Sequence, residues 1–492
     1  MIQVEGDQGV AVVRGQLSLG PRGAELSSPK WFGLEAKWWG LIAVGIANFM
    51  TALYSAVVNT VIPLIMGSFG VDFAMAEWVV MAYLLGVSSL ILTFGRMGDM
   101  IGHKRVFLLG SAIFSMGSVL CGLAPTVEVL IGGRLVQAVG AAMLFASSSA
   151  ILIDTFPATQ RGQVLGLQGS ITYVGMMLGP AAGGWMAMEF GWQGVFYLSV
   201  PLGILMGAIA YFAIPRTSAR KRDERFDVAG ALTFMIGLGA LLMALSHGQK
   251  WGWTSSLVLA LLLAAALLLG AFVSLERRID NPMLDLSLFR VRVFNAATGS
   301  ALMNYLCTYS VMFLVPFYLI QYRGFNPAHS GLLLSCQAVA MAAVAPFSGS
   351  LSDRIGSRLL SSFGMAVLTV GLLLLAFVSP TAADGEIAVR LAICGLGIGI
   401  FVSPNSSALM GSVSVQRRGV ASAILAGART TGMVMGVALA GAVFSTALAI
   451  YGGTLGPSSG FMPAFRDAFL AAALCGAIGL GTSMVRGGRE GR

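Results

Sequence analysis

Apolar runs long enough to cross a bilayer follow one another along almost the whole chain, separated by short clusters of glycine, proline and charge. A membrane helix needs about 20 mostly apolar residues. Fourteen runs qualify, at roughly 38–66, 75–97, 104–123, 127–153, 162–188, 193–214, 228–246, 255–275, 294–321, 327–350, 357–378, 385–411, 418–447 and 463–484. Most are apolar on nearly every face, so length and the punctuation between them set the limits, not helical period. The pattern predicts an all-α membrane protein of fourteen transmembrane helices.

The pattern also repeats. Asp99 and Asp353 are 254 positions apart, Arg134 and Arg390 are 256, and Arg161-Gly162 and Arg418-Gly419 are 257. GMMLG at 175–179 and GMVMG at 432–436 are again 257 apart. So steady an offset reads as two related six-helix bundles with two helices inserted between them. The expected organisation is an N-tail (1–36), a first bundle (37–214), a basic loop (215–227), the inserted pair (228–275), a linker (276–293), a second bundle (294–484) and a C-tail (485–492). Many secondary transporters are built from such six-span repeats, with the site at their interface near mid-membrane.

Charge orients the spans. With the N-terminus in the cytoplasm, only Lys250, Arg323, Arg390 and Arg466 of the 30 Lys and Arg fall outside, and Arg134 and Arg429 lie within spans. The positive-inside rule then puts both termini in the cytoplasm, in the plasma membrane. The net charge of +9 is therefore a topology signal. No basic stripe is interleaved with aromatics, so a nucleic-acid partner is not expected. Only 10% of residues are charged, against about 25% in soluble domains, which excludes a water-soluble enzyme. The first 36 residues are charged and lack an apolar core, which makes them a polar tail and not a signal peptide. Cys121, Cys307, Cys336, Cys394 and Cys475 lie in apolar segments without a CxxC, so free thiols are expected, with no disulfide and no metal site. His103, His247 and His329 lack a nucleophile-and-base constellation, and neither a catalytic site nor a cofactor is expected. Nothing suggests the charge rings or carbonyl filter of a channel.

Against that scarcity of charge, GRMGDMIGHKR (95–105) stands out, with a near copy, GSLSDRIGSR, at 349–358. Gly95, Gly102, Gly349 and Gly356 permit tight turns between helices. Asp99 is placed to meet a helix N-terminus or to pair with Arg96 or Arg105, and Asp353, Arg354 and Arg358 occupy the matching place. Either loop serves equally as a static topology anchor. Gly175, Gly179 and Gly183 stand at small-xxx-small spacing with Pro180 among them, a pattern for close backbone packing and a kink. Arg134 is a full charge within a span, with Gln137 on the same helical face; Arg429 is the second. Polar residues inside spans are candidates for a cavity wall: Tyr54 and Asn59, Ser148 within SSS (147–149), Asn304, Gln337, and Asn405 within SPNSS (403–407). Each also has a plain reading as a helix–helix hydrogen bond.

The 95–105 segment resembles the loop motif between spans two and three of the major facilitator superfamily, G-x-L-[AG]-D-x-x-G-[RK]-[RK], with Met97 for the usual Leu and His103 for the first closing basic residue. GRLVQAVGAA (133–142) resembles the superfamily's span-four motif. GLQGSITYVGMMLGPAAGG (166–184) resembles the span-five motif of its antiporters, with Gly166, Gly175, Gly179, Pro180, Gly183 and Gly184 in register. WVVMAYLL (78–85), NTVIP (59–63) and WQGVFYLSVP (192–201) are similar to the fourteen-span drug:proton antiporter branch. The resemblance covers about residues 40–480. It implies two six-helix bundles plus two inserted helices, working as a monomer that exports small amphipathic compounds by alternating access, coupled to protons. It implies that Gly95, Arg96, Asp99, Gly102, Lys104 and Arg105, with Lys104 and Arg105 as the basic tail, latch the halves, as do Gly349, Asp353, Arg354, Gly356 and Arg358. It further implies that Arg134, Gln137 and Asp99 take part in proton coupling, and that the span-five glycines form a hinge. One departure matters. The branch has an acid in span one where this chain has Tyr54, and the other acids nearest to span centres, Glu77, Glu128 and Asp154, are read as lying at span ends. A preference for neutral or anionic substrates follows.

Overall fold

A computed structural model describes residues 30–31, 34–157, 160–215, 228–278, 286–414, 418–455 and 457–485. A two-residue antiparallel ribbon, β1 (Lys30–Trp31) with β2 (Leu34–Glu35), leads into α1 (Ala36–Phe69). Then come α2 (Phe73–Ile101), α3 (His103–Gly122), α4 (Val127–Thr155), α5 (Arg161–Tyr197), α6 (Ser199–Ala213), α7 (Val228–Trp251) and α8 (Ser256–Glu276). After them follow α9 (Arg292–Pro316), α10 (Pro327–Ile355), α11 (Ser357–Ala376), α12 (Asp384–Gly411), α13 (Arg418–Leu455) and α14 (Pro457–Met484).

Local chemistry explains where helices start and stop, and it differs between the two ends of the molecule. At the end carrying Phe73, side-chain oxygens cap four helix starts. Asp72 accepts from the Met75 N–H (2.9 Å), Thr126 from Val129 (3.5 Å), Ser255 from Val258 (3.3 Å) and Asn326 from His329 (2.7 Å). At the end carrying Asp99, α2 passes to α3 through Gly102 alone (φ 96°), and α10 to α11 through Gly356 alone (φ 91°). Only glycine takes that backbone without strain, so both copies of the loop turn at the same glycine.

Twelve stretches are apolar and long enough to span a membrane. One of them, Leu167–Ala213, contains two crossings, because Gly191 (φ 68°, ψ 174°) breaks α5 and starts the sixth crossing at Trp192. Leu232–Gly248 within α7 is a shorter apolar helix. With it, the helices of the described residues make fourteen crossings. The helices overrun the expected limits: α7 reaches Trp251, α13 reaches Leu455 and α14 begins at Pro457. Part of the 276–293 stretch is also structured. A 3-10 turn, Leu286–Arg290, buries Leu288 beside Ala297, Leu409 and Ile424.

Within the first six helices α3 packs on α4, α2 on α4, and α1 on α5; in the last six α10 and α11 pack on α12, and α13 on α9 and α14. The two sets meet through α5 with α10 and α2 with α13. Helices α1 and α9 are innermost, with 83% and 89% of their apolar windows buried, against 17% for α8. The inserted helices pack on each other, and α7 also reaches α2 and α13. The exposed Leu257, Leu259, Leu263 and Leu267 of α8 form the surface expected to face lipid.

Candidate functional site

At the Asp99 end, the loop is stiffer than its composition suggests. Asp99 is paired with His103, at 3.2 Å across one helical turn, and its side chain is 57% exposed. The sequence offered a helix N-terminus, Arg96 or Arg105; a described partner is His103, because Gly102 starts α3 in a position that turns the imidazole back over α2. Gly98 makes room for it, since a Cβ there would collide with the ring. Lys104 reaches the last turn of α6, where its ammonium donates to the carbonyls of Tyr211 (2.7 Å) and Ile214. That cation caps a helix C-terminus within the first bundle. Arg105, Arg354 and Arg358 are exposed, and Arg96, Gly95 and Gly349 lie on the last turns of α2 and α10. The side chain of Asp353 and the surroundings of Gly166 lie outside the described residues.

Arg134 organises the first bundle. It is fully buried on α4. Its Nε donates to the Val79 carbonyl (3.0 Å), Nη1 to Gln137 Oε1 (2.5 Å) and Nη2 to the Tyr54 carbonyl (3.4 Å). The guanidinium carbon stands 4.1 Å from the Tyr83 ring centroid. Gln137 passes the chain on to Ser118 Oγ (2.7 Å). The spacing of Arg134 and Gln137 had put them on one face, and they do bond. The planar fork thus ties α4 to α1 and α2, with carbonyls and a π-face as its partners.

The polar residues predicted to line a cavity divide into several environments. Tyr54 turns into the first bundle: its hydroxyl donates to the Val195 carbonyl and its ring lies edge-on to Phe114. At 1% exposure it packs inside the first bundle. Asn304 points to Met365 Sδ, 3.4 Å away on α11. Ser148 and Asn59 bond to carbonyls of their own helices. Asn405 ties α12 to α9, accepting from Ser300 (3.1 Å) and donating to Ala297 (3.1 Å). Arg429 is part-exposed, donates to Ser406 Oγ (2.8 Å) and lies 5.6 Å from the Tyr305 ring. Gln337 is buried on α10 with neither end of its amide bonded to protein. Composition did not single out a second polar rail: Ser149 donates to Gln168 (3.3 Å) and Gln168 to Asn48 (3.4 Å), joining α4, α5 and α1.

The span-five glycines serve two contacts. A Cβ on Gly175 would lie 2.5 Å from the Phe49 carbonyl oxygen, on Gly179 2.9 Å from Ala56, and on Gly183 2.5 Å from Val57. These three seat α5 on α1. Gly432 and Gly436 of the second copy seat α13 on Leu302 and Leu306 of α9 in the same way. Gly184 faces the other bundle, against the backbone of Pro327 and Ala328, and Gly331 lies reciprocally against Pro180 and Ala181. Nearby the second seam closes. Phe73 sits among Phe313, Phe317 and Phe444, with ring centroids 4.8–5.3 Å apart. Gly441 of α13 rests on the Glu77 carboxyl of α2. Deeper, Ser88 meets Thr431 (2.8 Å) and Tyr309 donates to Ser55 (2.9 Å), both across the bundles. A Cβ on Gly95, Gly169 or Gly427, toward the Asp99 end, would touch nothing within 4 Å, and the same holds of Gly67, Gly70 and Gly324 at the Phe73 end. The protein is closed at the Phe73 face. Glu77, read from sequence as lying at a span end, is one turn inside α2 and 1% exposed.

Comparison with known proteins agrees with this geometry. The multidrug resistance protein Stp of Mycobacterium tuberculosis is 34% identical over 406 residues, 82% of this chain and 75% of Stp. The methylenomycin A resistance protein of Streptomyces coelicolor is 32% identical, over 82% of this chain and 85% of that protein. The riboflavin transporter RibZ of Clostridioides difficile is 31% identical, over 84% and 90%. The fold matches a bacterial homologue of the human lysosomal transporter Spinster in its inward-facing, unoccupied conformation, with a TM-score of 0.69, 14% identity, and coverage of 92% and 97%. The Major Facilitator Superfamily profile matches residues 44–436 and 297–486. With its repeated bundles, loops and seams, the chain belongs to the Major Facilitator Superfamily, and it is a multi-pass membrane transporter and not an enzyme.

Proposed function

We propose that the protein exports small amphipathic compounds across the cytoplasmic membrane by alternating access, with both termini in the cytoplasm and protons flowing inward as the driving force. The observation that carries this reading is the asymmetry between the two faces. Interlocked glycine and aromatic contacts close the Phe73 face across the bundles, and the described cross-bundle contacts run from that face only as deep as Ser88 with Thr431. In that orientation the protein is shut outward and ready to receive substrate from the cytoplasm. The Asp99–His103 and Asp353 loops lie at that cytoplasmic end, one per repeat, where a latch would act. The drug-resistance names of Stp and the methylenomycin A protein support efflux.

The substrate class we infer is neutral or anionic. Among the ionisable side chains within the bundles' spans, Arg134 and Arg429 are cations that meet polar groups well inside their helices, and Arg429 is part-exposed. A permanent cation would need a negative group to offset its desolvation. Expelling a negative charge from a negative interior gains about 2.3 kcal/mol per 100 mV. The riboflavin transporter RibZ is compatible with a second reading, an exporter of neutral or anionic metabolites without classical proton antiport. Transport into inverted vesicles, with and without a pH gradient, against cationic, neutral and anionic dyes tests both. Gradient-driven uptake of neutral or anionic compounds is expected. Equal uptake of a quaternary ammonium dye overturns the substrate class, and uptake indifferent to the gradient overturns the coupling.

A further inference from the structure

We propose that Glu77 is a proton-binding site built into the α2–α13 seam, and that the Phe73 face closes only when this carboxyl carries a proton. The inference rests on the alternating-access reading above and names a group that couples to it. The carboxyl sits one turn inside α2 at 1% exposure. Oε2 lies 3.1 Å from Ser246 Oγ on α7, and Ser246 Oγ is 3.4 Å from the Ala74 carbonyl. Oε1 has no hydrogen-bond partner, and Gly441 of α13 covers it so closely that a Cβ would overlap it.

Proton counting decides which form fits. A serine hydroxyl has one proton to give. If Glu77 is a carboxylic acid, it donates to Ser246, and Ser246 donates on to Ala74, so each proton is used once. If it is a carboxylate, Ser246 turns to it, Ala74 keeps only its helical N–H donor, and a full negative charge is buried with one hydrogen bond. Burying a charge without a partner costs several kcal/mol. The surrounding charged groups are engaged elsewhere or distant. On α7, Lys250 pairs with Asp72 (2.8 Å) and His247 stacks on Trp251. On α4, Arg134 takes the Val79 carbonyl and Glu128 is exposed in the first turn. On α13 the nearest charge to Gly441 is Arg429, twelve residues away; α1 beyond Lys37, α3 beyond Arg105 and α9 beyond Arg292 carry none.

The seam joins the two bundles, so its separation exposes Glu77 to water on the Phe73 side, where it ionises and releases its proton to that solution. Closing again requires a proton from the same side. By linkage, proton binding and closure favour each other. The inserted helix α7 then has a task, since its Ser246 accepts the proton's hydrogen bond.

The test uses the full chain in lipid nanodiscs, with spin labels at Ser68→Cys and Thr381→Cys after replacement of Cys336 and Cys475 by alanine. Wild-type seam opening should rise as pH goes from 5 to 9, and Glu77→Gln should stay closed throughout and lose substrate counterflow. Ser246→Ala should move the opening midpoint to lower pH by about tenfold in proton concentration, the worth of roughly one buried hydrogen bond. It decides the matter if Glu77→Gln does not fold. A wild-type pH response in Glu77→Gln, or an unmoved midpoint in Ser246→Ala, overturns the proposal. If pH opens the wild-type seam through Glu77 but no gradient drives export, the export reading fails and the proton site stands. If export follows the gradient while Glu77→Gln keeps the pH response, the site fails and the export reading stands.

Discussion

The two seams that close the Phe73 face use different chemistry. Between α5 and α10 the described contact is backbone on backbone: Gly184 against Pro327 and Gly331 against Pro180, four residues of which none titrates. Between α2 and α13 a hydroxyl pair, an aromatic cluster and a buried carboxyl meet. The first seam responds to shape alone. The second responds to shape and, under our proposal, to protonation. A transporter gains from this division, since one seam supplies a fixed closing geometry and the other makes that geometry conditional.

The largest effect should come from the shape-only seam. Gly184→Val overpacks the closed state by about 1–3 kcal/mol and leaves the open state untouched, which shifts the balance by roughly five- to a hundredfold. Export in proteoliposomes should fall at least about tenfold at normal expression. Gly179→Ala sharpens the contrast: it crowds α1 within one bundle, so it should lower thermal stability in a melting assay without changing the open fraction. Next in size is Asp99→Asn at the opposite face. It weakens the pairing with His103 and should cut flux several-fold with insertion intact, and Asp353→Asn should do less. Wild-type flux in Asp99→Asn vesicles would remove the latch.

Arg134→Lys probes stability away from either seam. Lysine cannot reproduce the fork that reaches Val79, Gln137 and Tyr54 together. Leaving such buried partners unmet costs about 1–3 kcal/mol, read as a lower melting temperature. The smallest effect belongs to the rim of the α2–α13 seam. Burial alone would raise the Asp72 pKa, but the hydrogen bond and charge of Lys250, with the Met75 N–H, hold it below the ordinary 3.8. Its contribution is therefore present above that value and lost as pH falls through the lowered one. Lys250→Met should lower the melting temperature slightly at pH 7 and flatten its acid dependence below about pH 4.

The sequence disclosed what depends on pattern: the spans, the repeat, the turning glycines Gly102 and Gly356, and the Arg134–Gln137 pair one turn apart. It did not disclose what depends on which way a side chain turns once helices pack. Tyr54 and Asn304 are polar and mid-span, yet both turn into their own bundles, toward Val195 and Met365. The partner of Asp99 followed from the rotation that Gly102 gives α3, which no residue spacing encodes. Glu77 was passed over because hydropathy counts depth from the end of a run. Its burial is imposed by α7 and α13, which arrive more than 150 residues later. The signal in hindsight is a lone acid one turn inside an apolar run, opposite a glycine.

Helices α7 and α8 stand as a pair between the bundles, and arithmetic explains why two are tolerated. Each added crossing reverses the side on which everything downstream begins. One extra helix would invert the last six, carrying Pro327 and Gly331 to the wrong side of the bilayer and leaving Gly184 with no counterpart. Two extra helices restore the starting side. Insertions between the halves of such a molecule are thus restricted to even numbers, and a hairpin is the smallest addition that preserves both seams.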